Sequence, residues 1–208
     1  MFCNFLTQRF KSLFHWDYYV AKPFLEKYVH PNTIYYAGLF VFFLLLIIYR
    51  VIDEPDLFLD AIVSLLLYAL FYHYHKMFHQ DSFSWFFVTF TILLHNLHLY
   101  GTSPLGIRFD HYMHFIAGFT IALVTDRLLS ERLPLFKRVI VLVLCALGFG
   151  AIGEVVEWLG YGILGSGKGF FYFGIGDEGE WRNAILDTIF NGLGGITLAS
   201  LIAFFKRK

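Results

Sequence analysis

The sequence predicts an all-α membrane protein with six transmembrane helices, an N-terminal amphipathic helix at the membrane interface and both termini in the cytoplasm. Of its 208 residues, 58% are hydrophobic and only 15% are charged. Most of the apolar residues fall in long runs with few charges, and about 20 apolar residues suffice to span a bilayer as a helix. Because lipid offers no hydrogen-bonding partners to the backbone, these runs are expected to be helical.

The chain is predicted to divide into an interfacial segment, residues 1–32, and a six-helix transmembrane domain, residues 33–208, with residues 90–200 as its core. In the first segment, apolar residues such as Phe10 and Phe14 recur at helical spacing among basic residues such as Arg9 and Lys11. This pattern is typical of an amphipathic helix lying in the interface. A loosely ordered tail with aromatic anchors explains the same pattern.

Six apolar runs follow the interfacial segment. They cover residues 34–49, 57–72, 83–100, 109–125, 139–161 and 181–205. Pro104 and Pro134 lie in short connections on either side of the fourth run, where proline breaks helical structure. Only the connection 162–180 is long, and its many glycines fit either a lid over a site or a plain surface loop.

Charge sets the expected orientation and excludes one class of partner. With the N-terminus inside, 12 of the 16 lysines and arginines lie on the cytoplasmic side, as the positive-inside rule requires. We therefore expect a multi-pass protein of the cell (inner or plasma) membrane, with its oligomeric state left open. The formal net charge is zero, so nothing in the charge balance indicates a nucleic-acid partner.

Unusual polar residues occur in the last four runs, and in this topology all of them fall in the outer half of the membrane. They are His95 and His98, Asp110, His111 and His114, Glu154 and Glu157, and Asp187 and Asn191. Residues three or four apart share one face of a helix, so the groups within each run lie on one stripe. An ionised carboxylate at this depth is costly unless it is paired or hydrated. The sequence therefore predicts one polar cavity that faces the periplasmic or extracellular side.

Carboxylates and imidazoles together favour a metal site in this cavity. Two acids one helical turn apart either share a proton or hold a cation, and a mixed set with histidine suits zinc or manganese better than calcium. We predict a divalent ion, zinc or manganese, with the ligands His95, His98, His114, Glu154 and Asp187. Two other interpretations stay open: a hydrogen-bonded polar network that holds the helices together, and a conduction path.

The remaining polar residues are assigned to chemistry and to substrate binding. We predict Asp110, His111 and Glu157 as catalytic groups, with Glu157 or His111 transferring a proton. Arg108, Arg182 and Asn191 are predicted to bind substrate, since arginine grips phosphate or carboxylate well. Pairing of each arginine with a nearby acid is the alternative.

Small residues predict close contacts between helices. Gly148, Gly150 and Gly153 have the spacing of a dinucleotide-binding loop, but they lie within an apolar run and do not follow a strand, so helix packing is the better interpretation. The pairs Gly118/Ala122 and Gly195/Ala199 have the small-xxx-small spacing of membrane helix contacts.

Short motifs in residues 90–200 resemble two families of membrane proteins. The resemblance to YjdF-like inner-membrane proteins rests on His95-Asn96, Phe109-Asp110-His111, His114-Phe115, Gly118 and Glu154-x-x-Glu157-Trp158. The Asp-x-x-x-His opening and Asp187-x-x-x-Asn191-x-x-Gly194 are also similar to VanZ-like proteins, which are associated with glycopeptide resistance at the cell envelope. The resemblance implies an envelope protein with an outward-facing site. His111 stands where lysine or arginine is more usual, so one fixed positive charge is missing.

These observations lead to three functional hypotheses. The first is a metal-dependent membrane enzyme of the hydrolase type that acts on a membrane lipid or a lipid-linked envelope precursor. The second is a non-enzymatic protein that binds such a precursor or a glycopeptide. The third is a metal- or proton-coupled transporter, which is weakened because the inner halves of the last four runs are almost purely apolar.

Overall fold

The computed structural model describes residues 29–74, 81–97, 101–129, 133–164 and 180–206. They form six α-helices, and apart from these the described residues contain only an isolated bridge between Thr102 and Arg108. The helices are α1 (Pro31–Val51), α2 (Pro55–His73), α3 (Ser82–Asn96), α4 (Phe109–Leu128), α5 (Leu135–Leu164) and α6 (Glu180–Lys206). The predicted all-helical class is confirmed. Most of the predicted interfacial helix, His98 and most of the connection 162–180, interpreted as a lid or a plain loop, lie outside the described residues.

Three of the described helices are long and apolar enough to cross a membrane. These stretches are Pro31–Val51, Leu135–Leu159 and Arg182–Phe204, and Leu57–His73 is a shorter apolar stretch. The number of spans and the side on which the termini lie stay predictions.

Helix α3 is shorter than the predicted run 83–100. It ends at Asn96, and Leu97 lies in a turn. The apolar run continues to Tyr100, so hydropathy does not mark this end. The hydrogen bonds of the Asn96 side chain instead coincide with the end of α3. Asn96 Nδ2 donates to the Ile92 carbonyl at 2.8 Å and to Ser64 Oγ at 2.8 Å, and such side-chain bonds compete with helix continuation.

The helices pack in two groups. Helices α4, α5 and α6 contact one another most extensively, α1, α2 and α3 form the second group, and α3 joins the two through α4. The α4–α6 crossing brings backbone against backbone at two glycines. A Cβ on Gly118 would overlap the Asn191 carbonyl, and one on Gly194 would overlap the Phe115 carbonyl. The predicted small-residue contacts at Gly118 and Gly195 are confirmed, since a Cβ on Gly195 would lie 2.7 Å from Ala146 Cβ. Helix packing is also confirmed at Gly150, but it is wrong for Gly148 and Gly153, where a Cβ would meet nothing within 4 Å.

Two ion pairs lie near the C-terminal end of α4, about 25 Å along the helix from its N-terminus. Arg138 is 3% exposed and donates to Asp126 Oδ1 at 2.9 Å. Arg127 NH2 lies 2.7 Å from Asp81 Oδ2, and both of these side chains are about one-fifth exposed. The two pairs join α3, α4 and α5 at the end remote from the polar residues predicted to form a site.

Replacing Arg138 with methionine is expected to lower the free energy of unfolding by about 3 kcal/mol, because the Asp126 carboxylate would stay buried without its cation. The same change at Arg127 is expected to cost only about 1 kcal/mol, since its pair is better hydrated. Chemical unfolding of both variants in mixed micelles measures the difference. Equal losses would show that burial does not set the strength of these pairs.

Candidate functional site

A cavity of about 210 Å³ lies among five helices. It is lined at one end by polar side chains from the predicted set, together with one from α2. The polar residues that line the cavity are Ser64, Thr91, His95, Asp110, His114, Glu157 and Asn191. Polar residues that are up to 127 positions apart in the chain, from Ser64 to Asn191, therefore meet around one cavity.

His114, which lines the cavity, lies among three acidic residues, of which only Asp110 also lines it. Its Nε2 is 3.7 Å from Asp110 Oδ1, 3.9 Å from Glu154 Oε1 and 3.8 Å from Asp187 Oδ1. Its Nδ1 lies 2.9 Å from Asn191 Nδ2, which also donates to the Asp187 carbonyl at 2.9 Å. The ring is therefore held by Asn191 and presents Nε2 to three carboxylates from three helices.

The orientation of the Asn191 amide decides what His114 Nε2 can do. With Nδ2 toward the ring, His114 Nδ1 accepts, so in the neutral imidazole Nε2 carries the proton toward the carboxylates. If the amide turns by 180°, Oδ1 accepts a hydrogen bond from Nδ1–H and Nε2 is left with a free lone pair, but the hydrogen bond from Asn191 Nδ2 to the Asp187 carbonyl is then lost. The second arrangement is the one that a metal-ligating histidine requires.

Two sets of three side chains have ligand atoms close enough to hold one ion. The first set is His114, Glu154 and Glu157, and the second is Asp110, His111 and Asp187. Within each set the ligand atoms all lie within 4.8 Å of one another. Glu154 is 8% exposed, and among the described residues its buried Oε1 has no hydrogen-bond partner. A carboxylate oxygen in that state requires a cation or a proton to offset its lost hydration.

Asp187 is held from two sides, which fits a positioning role, and it also belongs to the second of the two sets that could hold an ion. His111 Nδ1 lies 2.6 Å from Asp187 Oδ1, and Asn183 Nδ2 donates to Asp187 Oδ2 at 2.6 Å. Because Asp187 accepts from Nδ1, the Nε2 of His111 keeps its lone pair. His111 is buried and stacks on Phe190 with ring centroids 5.1 Å apart, so its ring is fixed in orientation.

His95, predicted as a metal ligand, lines the cavity but belongs to neither metal-competent set. Its Nε2 lies 3.5 Å from Oδ2 of Asp60, a residue of α2 that is 1% exposed. The sequence reasoning missed Asp60. A signal was present, because Asp60, Ser64 and Tyr68 recur every four residues in an apolar run and are all buried. The polar region therefore extends beyond the last four helices.

The two arginines are placed differently from each other. Arg108 NH1 donates to Asn183 Oδ1 at 3.1 Å, so within the described residues it bonds to an amide that in turn holds Asp187. Arg182 is exposed on α6 and is not among the residues that line the cavity. The structure thus connects Arg108 to the site through Asn183 and leaves Arg182 outside it.

Comparison with known proteins places the whole described bundle in one family. The family model described as "Predicted membrane protein (DUF2238)" matches residues 32–208. The chain belongs to this family of predicted membrane proteins. The match includes α1 and α2, and therefore also Asp60 and Ser64, which the motifs at 90–200 do not include. Neither the curated proteins nor the solved structures contain a match to the chain.

Proposed function

We propose that this membrane protein is a metal-dependent hydrolase that acts on an ester or phosphoester of a membrane lipid or a lipid-linked envelope precursor. The observation that carries the proposal is the set His114, Glu154 and Glu157, whose ligand atoms lie within 4.8 Å of one another. Two carboxylates and an imidazole suit zinc or manganese. A divalent ion would also offset the buried oxygen of Glu154 that has no hydrogen-bond partner among the described residues.

The neighbouring residues fit the roles that hydrolysis needs. A bound metal ion would acidify a water molecule and so supply the nucleophile. His111, oriented by Asp187, offers Nε2 as a base, and Asp110 lies 3.7 Å from His114 on the same face of α4. Asn191 holds the His114 ring, which makes it a positioning residue here. His95 faces the cavity beside Asp60, where it can bind the anionic part of a substrate when protonated.

The proposed topology has six spans, both termini in the cytoplasm and the cavity facing the outside of the cell membrane. The support is the basic residues, of which 12 of 16 then fall inside. The resemblance to YjdF-like and VanZ-like proteins also supports an envelope protein with an outward-facing site. In this arrangement the site meets the outer leaflet, where lipid-linked envelope precursors are consumed.

A second candidate function, binding of an envelope precursor or glycopeptide without reaction, is favoured by a different observation. Arg108, Asn183, Asp187 and His111 form a continuous hydrogen-bonded chain between α4 and α6. Such a chain stabilises a binding pocket without any metal. Transport is weaker, because the deeper wall of the cavity is apolar at Ala117, Ile121 and Phe149.

The reaction is tested by comparing membrane lipids from cells that express the protein with those from cells that express Glu157→Gln. We expect one lipid ester to fall and its hydrolysis product to rise only with the unaltered protein, because the variant removes one carboxylate of the metal-competent set. Quantitative mass spectrometry of lipid extracts gives the measurement. Identical lipid profiles with both proteins, at equal expression, would favour binding over hydrolysis.

A further inference from the structure

The cavity changes character along its length. On α4 its lining runs from Asp110 and His114 to Ala117 and Ile121, a distance of about 16 Å along the helix. On α5 it runs from Glu157 through Gly153 to Phe149, about 12 Å. In both helices the polar groups lie at one end and the apolar groups at the other, and the hydroxyl of Thr91, which also lines the cavity, is paired with Thr120 of α4. A ligand that matches this lining has a polar head and a hydrocarbon part.

The apolar end opens sideways between α2 and α5. Leu67 of α2 and Phe149 of α5 both line the cavity, yet they are 43% and 58% exposed on the outer surface of the bundle. Among the described residues, α2 packs extensively only on α1 and α3, and α5 only on α4 and α6. The two helices therefore flank a gap. Because α5 contains an apolar stretch long enough to cross a membrane and α2 contains a shorter apolar stretch, we expect this gap to face lipid.

We infer that the cavity binds a membrane lipid by one acyl chain, which enters between α2 and α5 and leaves the polar head beside His114. The cavity volume of about 210 Å³ is smaller than a pocket that encloses a drug-sized ligand. It holds the region where head and chain join, while the rest of the lipid stays in the bilayer. This inference extends the proposed function by naming the substrate class and its route, but chain binding itself needs no metal ion.

Two glycines of α5 make a matched pair of test variants. A Cβ on Gly153 or on Gly148 would meet nothing within 4 Å, so neither position is closed by a neighbouring helix. Gly153 lines the cavity, whereas Gly148 is exposed and does not line it. Leucine at position 153 is expected to fill the passage, and leucine at position 148 is expected to extend into lipid.

The probe is phosphatidylethanolamine with a diazirine on one acyl chain close to the head group, in vesicles of phosphatidylethanolamine and phosphatidylglycerol that contain the full-length protein. The ammonium group of this lipid can pair with the acidic residues of the cavity, so binding of the probe does not require a metal ion. After illumination, peptide mass spectrometry is expected to find adducts on Met113, Ala117 or Ile121, which line the cavity. Gly153→Leu is expected to reduce these adducts about ten-fold, and Gly148→Leu to leave them unchanged.

Labelling of the outer surface gives the internal reference. Ile140 and Leu144 are exposed on α5 and are expected to be labelled equally in all three proteins. Adducts confined to such outer positions, or cavity adducts unaffected by Gly153→Leu, would overturn the inference. If Gly153→Leu does not fold, Ala117→Phe blocks the same passage from α4.

Metal analysis of the same samples separates this inference from the proposed function. Cavity adducts in a protein that binds neither zinc nor manganese would leave the lipid site standing and refute the metal-dependent hydrolase. Bound metal without cavity adducts would refute the lipid site alone.

Discussion

Glu154→Gln is expected to weaken zinc or manganese binding at least about 100-fold, as is His114→Ala. Each change removes one of three ligands from a set whose ligand atoms lie within 4.8 Å of one another. Mutation of a residue that only hydrogen-bonds to a metal ligand lowers metal affinity about 10- to 100-fold. Loss of a ligand itself should therefore lower the affinity at least as much. Competition with a chromophoric chelator, on protein purified in detergent, measures the change.

The stability of the same variants separates a metal site from a network that only holds the helices together. In the metal-free protein, Glu154 has a buried oxygen without a hydrogen-bond partner among the described residues. Its replacement by neutral glutamine should therefore leave thermal stability unchanged or raise it, because a costly buried charge is lost. If Glu154 instead served to hold α5 against His114, the variant would unfold at lower temperature and the metal content would not change.

The control is Asp53→Asn, which removes a carboxylate outside the cavity. Asp53 is exposed, pairs with Arg50 at 3.6 Å, and has a φ of 56°, a conformation that asparagine adopts readily. We expect this variant to match the unaltered protein in both metal affinity and stability. Unaltered protein that binds no zinc or manganese would contradict the proposed metal site directly.

The sequence allowed the cavity to be predicted from α4, α5 and α6 because helical periodicity carries the necessary information. Asp110 and His114, or Glu154 and Glu157, must lie on one face of their helices whatever surrounds them. Their position in long apolar runs then requires them to face one another and not lipid. Local geometry and desolvation together thus led to a convergence that the structure contains, although the roles of the residues stay predictions.

What the sequence did not reveal depends on contacts between distant residues. Asp60 is a single acid in an apolar run, and only the approach of α2 to α3 places it 3.5 Å from His95. Asn183 is an ordinary polar residue near a helix start until Arg108 and Asp187 bond to its two ends. At the end of α3, the Asn96 side chain donates a hydrogen bond to Ser64 of α2, a contact between two helices. Periodicity within one helix carries no information on such partners.

Gly194→Ala is expected to prevent α4 and α6 from packing. A Cβ at this position would overlap the Phe115 carbonyl and lie 2.6 Å from Phe119 N, both of them backbone atoms that cannot move aside without shifting the helix. The α4–α6 contact is the most extensive in the described bundle and contains the chain from Arg108 to His111. We expect a loss of about 4 kcal/mol or more, and little monodisperse protein in size-exclusion chromatography.

Gly148→Ala tests whether the close contact, and not the loss of a glycine, causes this effect. Both glycines lie inside long apolar helices, so alanine improves helix propensity at each by about 1 kcal/mol. At Gly148 a Cβ would meet nothing within 4 Å, so that gain should appear as unchanged or slightly higher thermal stability. Both variants gain the same helix propensity. The difference between their free energies of unfolding therefore measures the steric cost of separating two helix backbones. Normal folding of Gly194→Ala would mean that the α4–α6 crossing is wider than the structure has it, and the positions of His111 and His114 against Asp187 would then have to be revised with it.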